Sequence, residues 1–297
     1  MLEYYCHTRL FIHTMLLSLQ LTNMDPFKDE FLLATEIVIS AGQYVRSAAK
    51  SQSQASESKE CYADLVTEYD QKVEKMLMSA ISEKFADHKF IAEEMSADGN
   101  SAAFTDEPTW IIDPIDGTTN FVHGFPAFAI SVGFFHLQEP VFGIVYDIPN
   151  DKMYSAVKGK GAFCNGRLMK CSPTTELQEA LIATEYGSQR EPNFLKFKID
   201  TMAKIVEKCH GIRSLGCATL NIIQVAMGTA DAYYEFGPHI WDFAAAHLIA
   251  LEAGAVCSAP NGGKMDLCSR KLMVCSTKEL RDQLTPLIDD YQLARDC

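Results

Sequence analysis

The chain has 297 residues, 47% of them hydrophobic and 22% charged, the balance of a globular protein long enough to bury a large core. A net charge of −13 argues against a nucleic-acid groove, whose phosphates need Lys and Arg to neutralise them. The ten cysteines form no C-x-x-C pair, and no run reaches the roughly 18 apolar residues of a membrane helix; zinc-ribbon, thioredoxin-like and membrane-spanning classes fall away, and reduced, packed thiols in the cytoplasm are expected.

Residues 1–23 fit poorly with the rest of the chain. Phe11 to Leu21 is partly apolar, but His13, Thr14, Ser18 and Gln20 interrupt it and no small-residue cleavage site is evident. A disordered or loosely docked extension is expected there rather than a signal peptide. From Pro26 to Lys50, Phe27, Phe31, Ala34, Val38, Ala41 and Val45 recur at helical spacing, and Asp25-Pro26 supplies a cap and a first-turn proline. Ser51 to Lys59 is polar and reads as a loop. Asp64 to Asp70 then leads into a second helix with Val73, Leu77, Ile81 and Phe85 inward. Asp70 taken alone is the N-cap of that helix. Lys89-Phe90-Ile91 is a short strand followed by Ala92-Glu93-Glu94. Paired acids at an apolar strand end draw notice, because a buried carboxylate is costly without a partner. Glu94 is expected to support Glu93 or face solvent.

Trp110-Ile111-Ile112-Asp113-Pro114-Ile115-Asp116-Gly117-Thr118-Thr119-Asn120-Phe121 carries most of the chemistry. Its apolar start is a buried strand, which Asp113-Pro114 is expected to end, because proline has no N–H for a ladder. Asp116 to Thr119 reads as a turn opening a helix, with free backbone N–H groups. Carboxylates suited to a hard cation such as Mg²⁺ therefore adjoin an anion-binding cluster, as metal-assisted phosphoryl transfer requires. The plain alternative is an Asp-Pro turn followed by an Asp cap.

Ala127 to Leu137, Val141 to Asp147, Met153 to Val157 and Gly161 to Cys164 read as neighbouring strands, with Asn165-Gly166 a hairpin signal. Ala180 to Thr184 is another strand, 193–208 a helix, and Leu215 to Thr219 a small-residue turn opening a further helix. Ala232 to Phe236 is a strand that bears Glu235 near its end, where an edge charge is the ordinary reading. Trp241-Asp242 opens the next helix, with Asp242 as its N-cap. His239 and His247 lack zinc-site spacing and read as structural.

The string from Trp110 to Pro126 closely resembles the signature of the inositol monophosphatase family of Mg²⁺-dependent phosphatases, and the resemblance runs from about Met24 to the C-terminus. It implies an α/β fold, a layered αβαβα sandwich, with residues 24–297 as one domain after an extension at 1–23. It implies Glu93, Asp113, the Ile115 carbonyl, Asp116 and Asp242 as ligands for two or three Mg²⁺ ions. One ion would sit on Glu93, Asp113 and Ile115, a second on Asp113, Asp116 and Asp242, and a weaker third near Glu93 and Asp70. Asp70, Thr118 and Glu93 would form the catalytic set, with Asp70 and Thr118 orienting a water. Asp116, Gly117, Thr118, Asp242, the Ala218 backbone and Glu235 would bind substrate, and Lys59 would lie near the centre. Ala92 stands where the family has glycine, which narrows the backbone freedom beside Glu93.

The implied activity is Mg²⁺-dependent hydrolysis of myo-inositol monophosphate, feeding inositol recycling, by a lithium-sensitive homodimer. Phosphatases of nucleotide 3′-phosphates or sugar bisphosphates share the fold and metals and are the alternative. Haloacid-dehalogenase-type phosphatases separate their aspartates by one residue, whereas Pro114 and Ile115 both intervene here. A non-catalytic scaffold would have lost ligands that this chain retains.

Overall fold

The computed structural model describes residues 19, 21–22, 25–54, 62–100 and 103–296. Lys59 lies outside the described residues. Helices α1 (Lys28–Gln54) and α2 (Tyr62–Lys84) pack together as an outer layer. The apolar stripes expected from the periodicity face inward: Phe31, Ala34, Val38, Ala41 and Val45 from α1, and Val73, Leu77 and Ile81 from α2, are all buried. The first helix continues past Lys50. The second begins well before Asp70, which therefore lies inside α2 and is not its cap.

Among the described residues the first sheet has seven strands in chain order: β1 (Lys89–Ala92), β2 (Thr109–Asp116), β3 (Ala129–His136), β4 (Glu139–Asp147), β5 (Lys152–Val157), β6 (Ala162–Cys164) and β7 (Arg167–Leu168). β1 and β2 are parallel and the remaining pairs antiparallel. Short helices α3 (Glu93–Ala97) and α4 (Thr118–His123) follow β1 and β2. The central strands are continuous apolar runs because both faces of this sheet are covered. The second sheet, five strands among the described residues, runs β11 (Val256–Ser258), β12 (Lys271–Cys275), β10 (Ala232–Phe236), β8 (Leu181–Thr184), β9 (Gly211–Arg213).

Helices α6 (Ala218–Ala226) and α7 (Ile240–Glu252) fill the space between the sheets, in a core with Val145, Tyr154, Tyr233 and Val274. Helices α5 (Pro192–Val206) and α8 (Lys278–Leu284) cover the far face of the second sheet through Phe194, Ile205, Leu280 and Leu284. The layers are thus αβαβα, as expected. Helix α7 lies close on the first sheet: a Cβ on Gly143 would stand 2.4 Å from the Ala245 carbonyl oxygen. Only glycine permits that approach, and it sets the depth at which α7 carries Asp242.

Leu19, inside the stretch assigned to an extension, is 1% exposed and joins the core under α1 and α2. Cys164, Cys171, Cys209, Cys217, Cys257 and Cys275 are free thiols, but Cys268 is disulfide-bonded, so the expectation of uniformly reduced cysteines does not hold there. No helix among the described residues is long and apolar enough to cross a membrane.

Candidate active site

The register of β1 on β2 builds the first part of the site. Ala92 lies opposite Ile112 in a parallel pair, so Glu93, where the chain turns into α3, stands beside Asp113 of β2. Beyond that point β2 has only β3 for a neighbour, and its register shifts between Asp113 and Asp116. Pro114 sits in this irregular stretch, where no partner needs its missing N–H. The strand therefore continues through Asp113-Pro114 to Asp116 instead of ending there. Ala92 is extended at φ −139°, a conformation any residue adopts, so alanine at this position puts no strain on Glu93.

Asp113 is 1% exposed, and its Oδ1 has no hydrogen-bond partner among the described residues. Burial, then the charges of Glu93, Asp116, Asp242 and Asp70, push its carboxyl well above the usual range. Burial, then Glu94 and Asp116, push Glu93 up to about 7. Asp70 reaches the same space from α2. Both its oxygens are buried without a hydrogen-bond partner among the described residues, and burial followed by Glu93 and Glu94 pushes it up to about 8. One turn along α2, Glu74 accepts the Glu94 and Met95 N–H groups, each at 2.8 Å. It thereby fastens the start of α3, which carries Glu93, onto α2. Asp70, Glu93 and Glu94 each offer an oxygen within 4.8 Å of the others, so Glu94 joins the acidic cluster directly.

Asp116 is held by the start of α6. The Thr219 N–H donates to its Oδ2 at 2.6 Å and the Cys217 thiol at 3.1 Å, with the Ala218 N–H directed at the same carboxylate. Burial raises Asp116, and these donors offset part of the rise. Asp242 is not the N-cap of α7. It occupies the third helical position and accepts the His239 N–H at 2.7 Å, in a capping box with His239. Burial, then Asp116 and Glu93, push Asp242 well up. The Thr219 hydroxyl donates to the Asp242 carbonyl at 2.7 Å and ties α6 to α7. His239 is structural, as its spacing indicated: it stacks on Trp241 at 4.6 Å and meets Asp296 at 2.8 Å.

Gly117 precedes α4 at φ +90°, and a Cβ there would lie 2.8 Å from the Ala127 carbonyl oxygen, so glycine is required twice over. The Thr118 hydroxyl donates to the Ile115 carbonyl at 3.0 Å, leaving that oxygen's second lone pair. The Asn120 amide donates to Ala127 and Leu215 carbonyls, both at 2.7 Å, and locks α4 to the turn before α6. Glu235, 5% exposed near the end of β10, accepts the Tyr233 hydroxyl on one oxygen and faces Lys198 with the other. Burial pushes it up to about 7 even though Lys198 pulls it down.

Sequence reasoning missed Glu74, Asn120, Cys217 and Thr219. Glu74 was findable as the residue four beyond Asp70 on one helix face. The others act through partners about a hundred residues away, which a local pattern does not carry.

The charges acting most strongly on Asp70, Glu93, Asp113 and Asp242 are all negative. Buried carboxylate oxygens with no donor, in a set made only of oxygen ligands, fit a hard divalent cation.

The sequence profile of the inositol monophosphatase family matches residues 28–293. Inositol monophosphatase 1 of Rattus norvegicus is 46% identical over 273 residues, 92% of this chain and 98% of the relative. Inositol monophosphatase 2 of Homo sapiens is 42% identical over 272 residues, 91% of this chain and 94% of the relative. Among solved structures, the inositol monophosphatase from Anabaena (Nostoc) superposes with a TM-score of 0.74 at 28% identity, covering 90% of this chain and 96% of that one. SaIMPase-II, solved with inositol monophosphate bound, superposes with a TM-score of 0.73 at 26% identity, covering 88% and 94%. Together with the αβαβα layers and the acidic cleft, these matches establish that the chain belongs to the inositol monophosphatase family.

Proposed function

We propose that the chain hydrolyses inositol monophosphate to inositol and phosphate, using Mg²⁺ and a water nucleophile. The observation that carries this reading is the set of buried carboxylate oxygens on Asp70 and Asp113 with no donor among the described residues. In this reading Glu93, Asp113, Asp116, Asp242 and the Ile115 carbonyl hold two or three Mg²⁺ ions, with Asp70 and Glu94 beside Glu93. When bound, Mg²⁺ supplies a water of lowered pKa and neutralises the phosphate. Asp70 accepts a hydrogen bond from the attacking water, and the Thr118 hydroxyl orients it. The Gly117 and Thr118 N–H groups donate to phosphate oxygens. Asp116, Asp242, Glu235 and the Ala218 backbone border the polyol. Water forms the new P–O bond, the ester P–O bond breaks, and the leaving alkoxide takes a proton from solvent, so no phosphoenzyme forms.

The same reading makes residues 24–297 one catalytic domain, acting as a cytoplasmic homodimer and inhibited by lithium, a small cation that competes for a weak site. The test is phosphate release from inositol 1-phosphate and from a nucleotide 3′-phosphate, with Mg²⁺ and with EDTA. Release from inositol 1-phosphate that EDTA abolishes is expected. EDTA-insensitive turnover, or a preference for the nucleotide, would overturn the reading.

A further inference from the structure

A lysine on an outer-layer helix ordinarily carries its ammonium out to water. Lys198 of α5 does not: it is 7% exposed and turned toward the interior. Its Nζ donates to the Tyr186 carbonyl at 3.0 Å, lies 4.8 Å from the centre of the Phe194 ring, and stands 3.9 Å from Glu235 Oε1. The side chains of Lys198 and Glu235 are each 6% exposed. Because Tyr233 donates to Glu235 Oε2, the Lys198 ammonium faces the other oxygen across a gap too wide for a direct hydrogen bond.

Backbone without side chains frames this pair. A Cβ on Gly187, at φ +67°, would stand 3.2 Å from Lys198 Nζ and 3.7 Å from Glu235 Oε1. A Cβ on Gly237, at φ +106°, would stand 3.8 Å from Nζ. Glycine at these two positions thus puts no side chain against the ammonium or the carboxylate oxygen. A hydroxyl group is both donor and acceptor, so one hydroxyl can give its hydrogen to Oε1 and receive one from Nζ. An ester without ring hydroxyls gains nothing from that arrangement.

We infer that Lys198 is a specificity-determining positioning residue that, with Glu235, forms a hydroxyl-binding pair at the polyol end of the cleft. The inference rests on the proposed inositol monophosphatase activity. The test uses the full chain with Mg²⁺, the variants Lys198→Met, Lys198→Gln and Lys198→Arg, and two substrates: inositol 1-phosphate and p-nitrophenyl phosphate, which has no ring hydroxyl. Lys198→Met should raise KM for inositol 1-phosphate about tenfold, the scale of a lost hydrogen bond to a charged group, with kcat little changed and p-nitrophenyl phosphate turnover unaltered. Lys198→Arg should recover most of the KM. If Lys198→Met does not fold, Lys198→Gln, which exchanges the charged donor for a neutral one, should raise KM for inositol 1-phosphate in the same direction by a smaller factor. Equal losses on both substrates, or no change in KM, would overturn the role of Lys198. Wild-type protein that turns over p-nitrophenyl phosphate but not inositol 1-phosphate would overturn the functional reading, and this inference with it.

Discussion

At one end of the cleft Glu235 is met by a lysine and a tyrosine; at the other, Asp70, Glu93 and Asp113 are met chiefly by one another. Both ends bury acids, so both bear the desolvation penalty. In the proposed reading, the fold supplies a counter-charge where the ligand part is a neutral polyol. It withholds one where the ligand is a phosphate, because only a cation from solution can bridge protein and substrate anions. In that reading the metal end awaits a cation, whereas the charge on Glu235 already faces the Lys198 ammonium.

Substitutions should separate the two ends. Asp113→Asn should lower kcat/KM with inositol 1-phosphate by at least about 10³-fold, the upper range for losing an electrostatic stabiliser in a site shielded from water. It should also lose the Mg²⁺-induced rise in Tm while leaving the Tm of the metal-free protein the same or higher, since one repelling charge is gone. Steady-state kinetics and thermal melts check both halves. Asp70→Asn should cost about 10²-fold in kcat, the lower range for losing a group that takes a proton from water, with the Mg²⁺-induced Tm rise largely kept. A variant that keeps normal kcat removes Asp70 from the chemistry. Thr219→Val deletes the hydroxyl's bonds to the Asp242 carbonyl and to Asp116 but keeps the N–H on Asp116. Loss of this outer support should weaken Mg²⁺ affinity about tenfold, read by titrating activity against Mg²⁺. Asp296→Ala is the mildest. It removes the carboxylate that accepts the Ile240 N–H at the head of α7, and about 1 kcal/mol of stability should go with it in a urea melt, with KM unchanged.

Part of the acidic cluster was legible because Asp113 and Asp116 stand in one short motif. The acids at 113 and 116 fall in the last residues of one strand, and the placement of Glu93 beside Asp113 follows from a parallel register that pairs Ala92 with Ile112. The layers followed from the family resemblance, with which the order of helices and strands agrees. The strand through Pro114 was not legible, because a proline is excluded from a strand only where a neighbour needs its N–H, and β1 has ended there. Asp70 and Asp242 were both read as caps, since an acid before an apolar stripe is ordinarily one. The real start of α2 lies upstream at Tyr62, and His239 heads α7. Lys198 gave no signal at all, because one lysine on an amphipathic helix looks like a solvated charge until the fold brings Glu235 beneath it.

The central claim is that the metal end is a cluster of acids held for a cation. Asp70 at about 8 and Glu93 at about 7 are raised above their unfolded values near 4, so the folded protein binds more protons than the unfolded chain between those limits. Without metal, stability should then fall as pH rises through that window, by a few kcal/mol in total at order of magnitude. The most direct test is Tm against pH from about 5 to 8.5, in EDTA and in excess Mg²⁺. The account predicts a Tm that declines with pH in EDTA and a Mg²⁺ stabilisation that is largest at the alkaline end. At a hundredfold excess over Kd that stabilisation is about 2.7 kcal/mol, roughly 5–10 °C for a domain of this size. A flat profile in EDTA, with no rise in Tm on adding Mg²⁺ at alkaline pH, would contradict it.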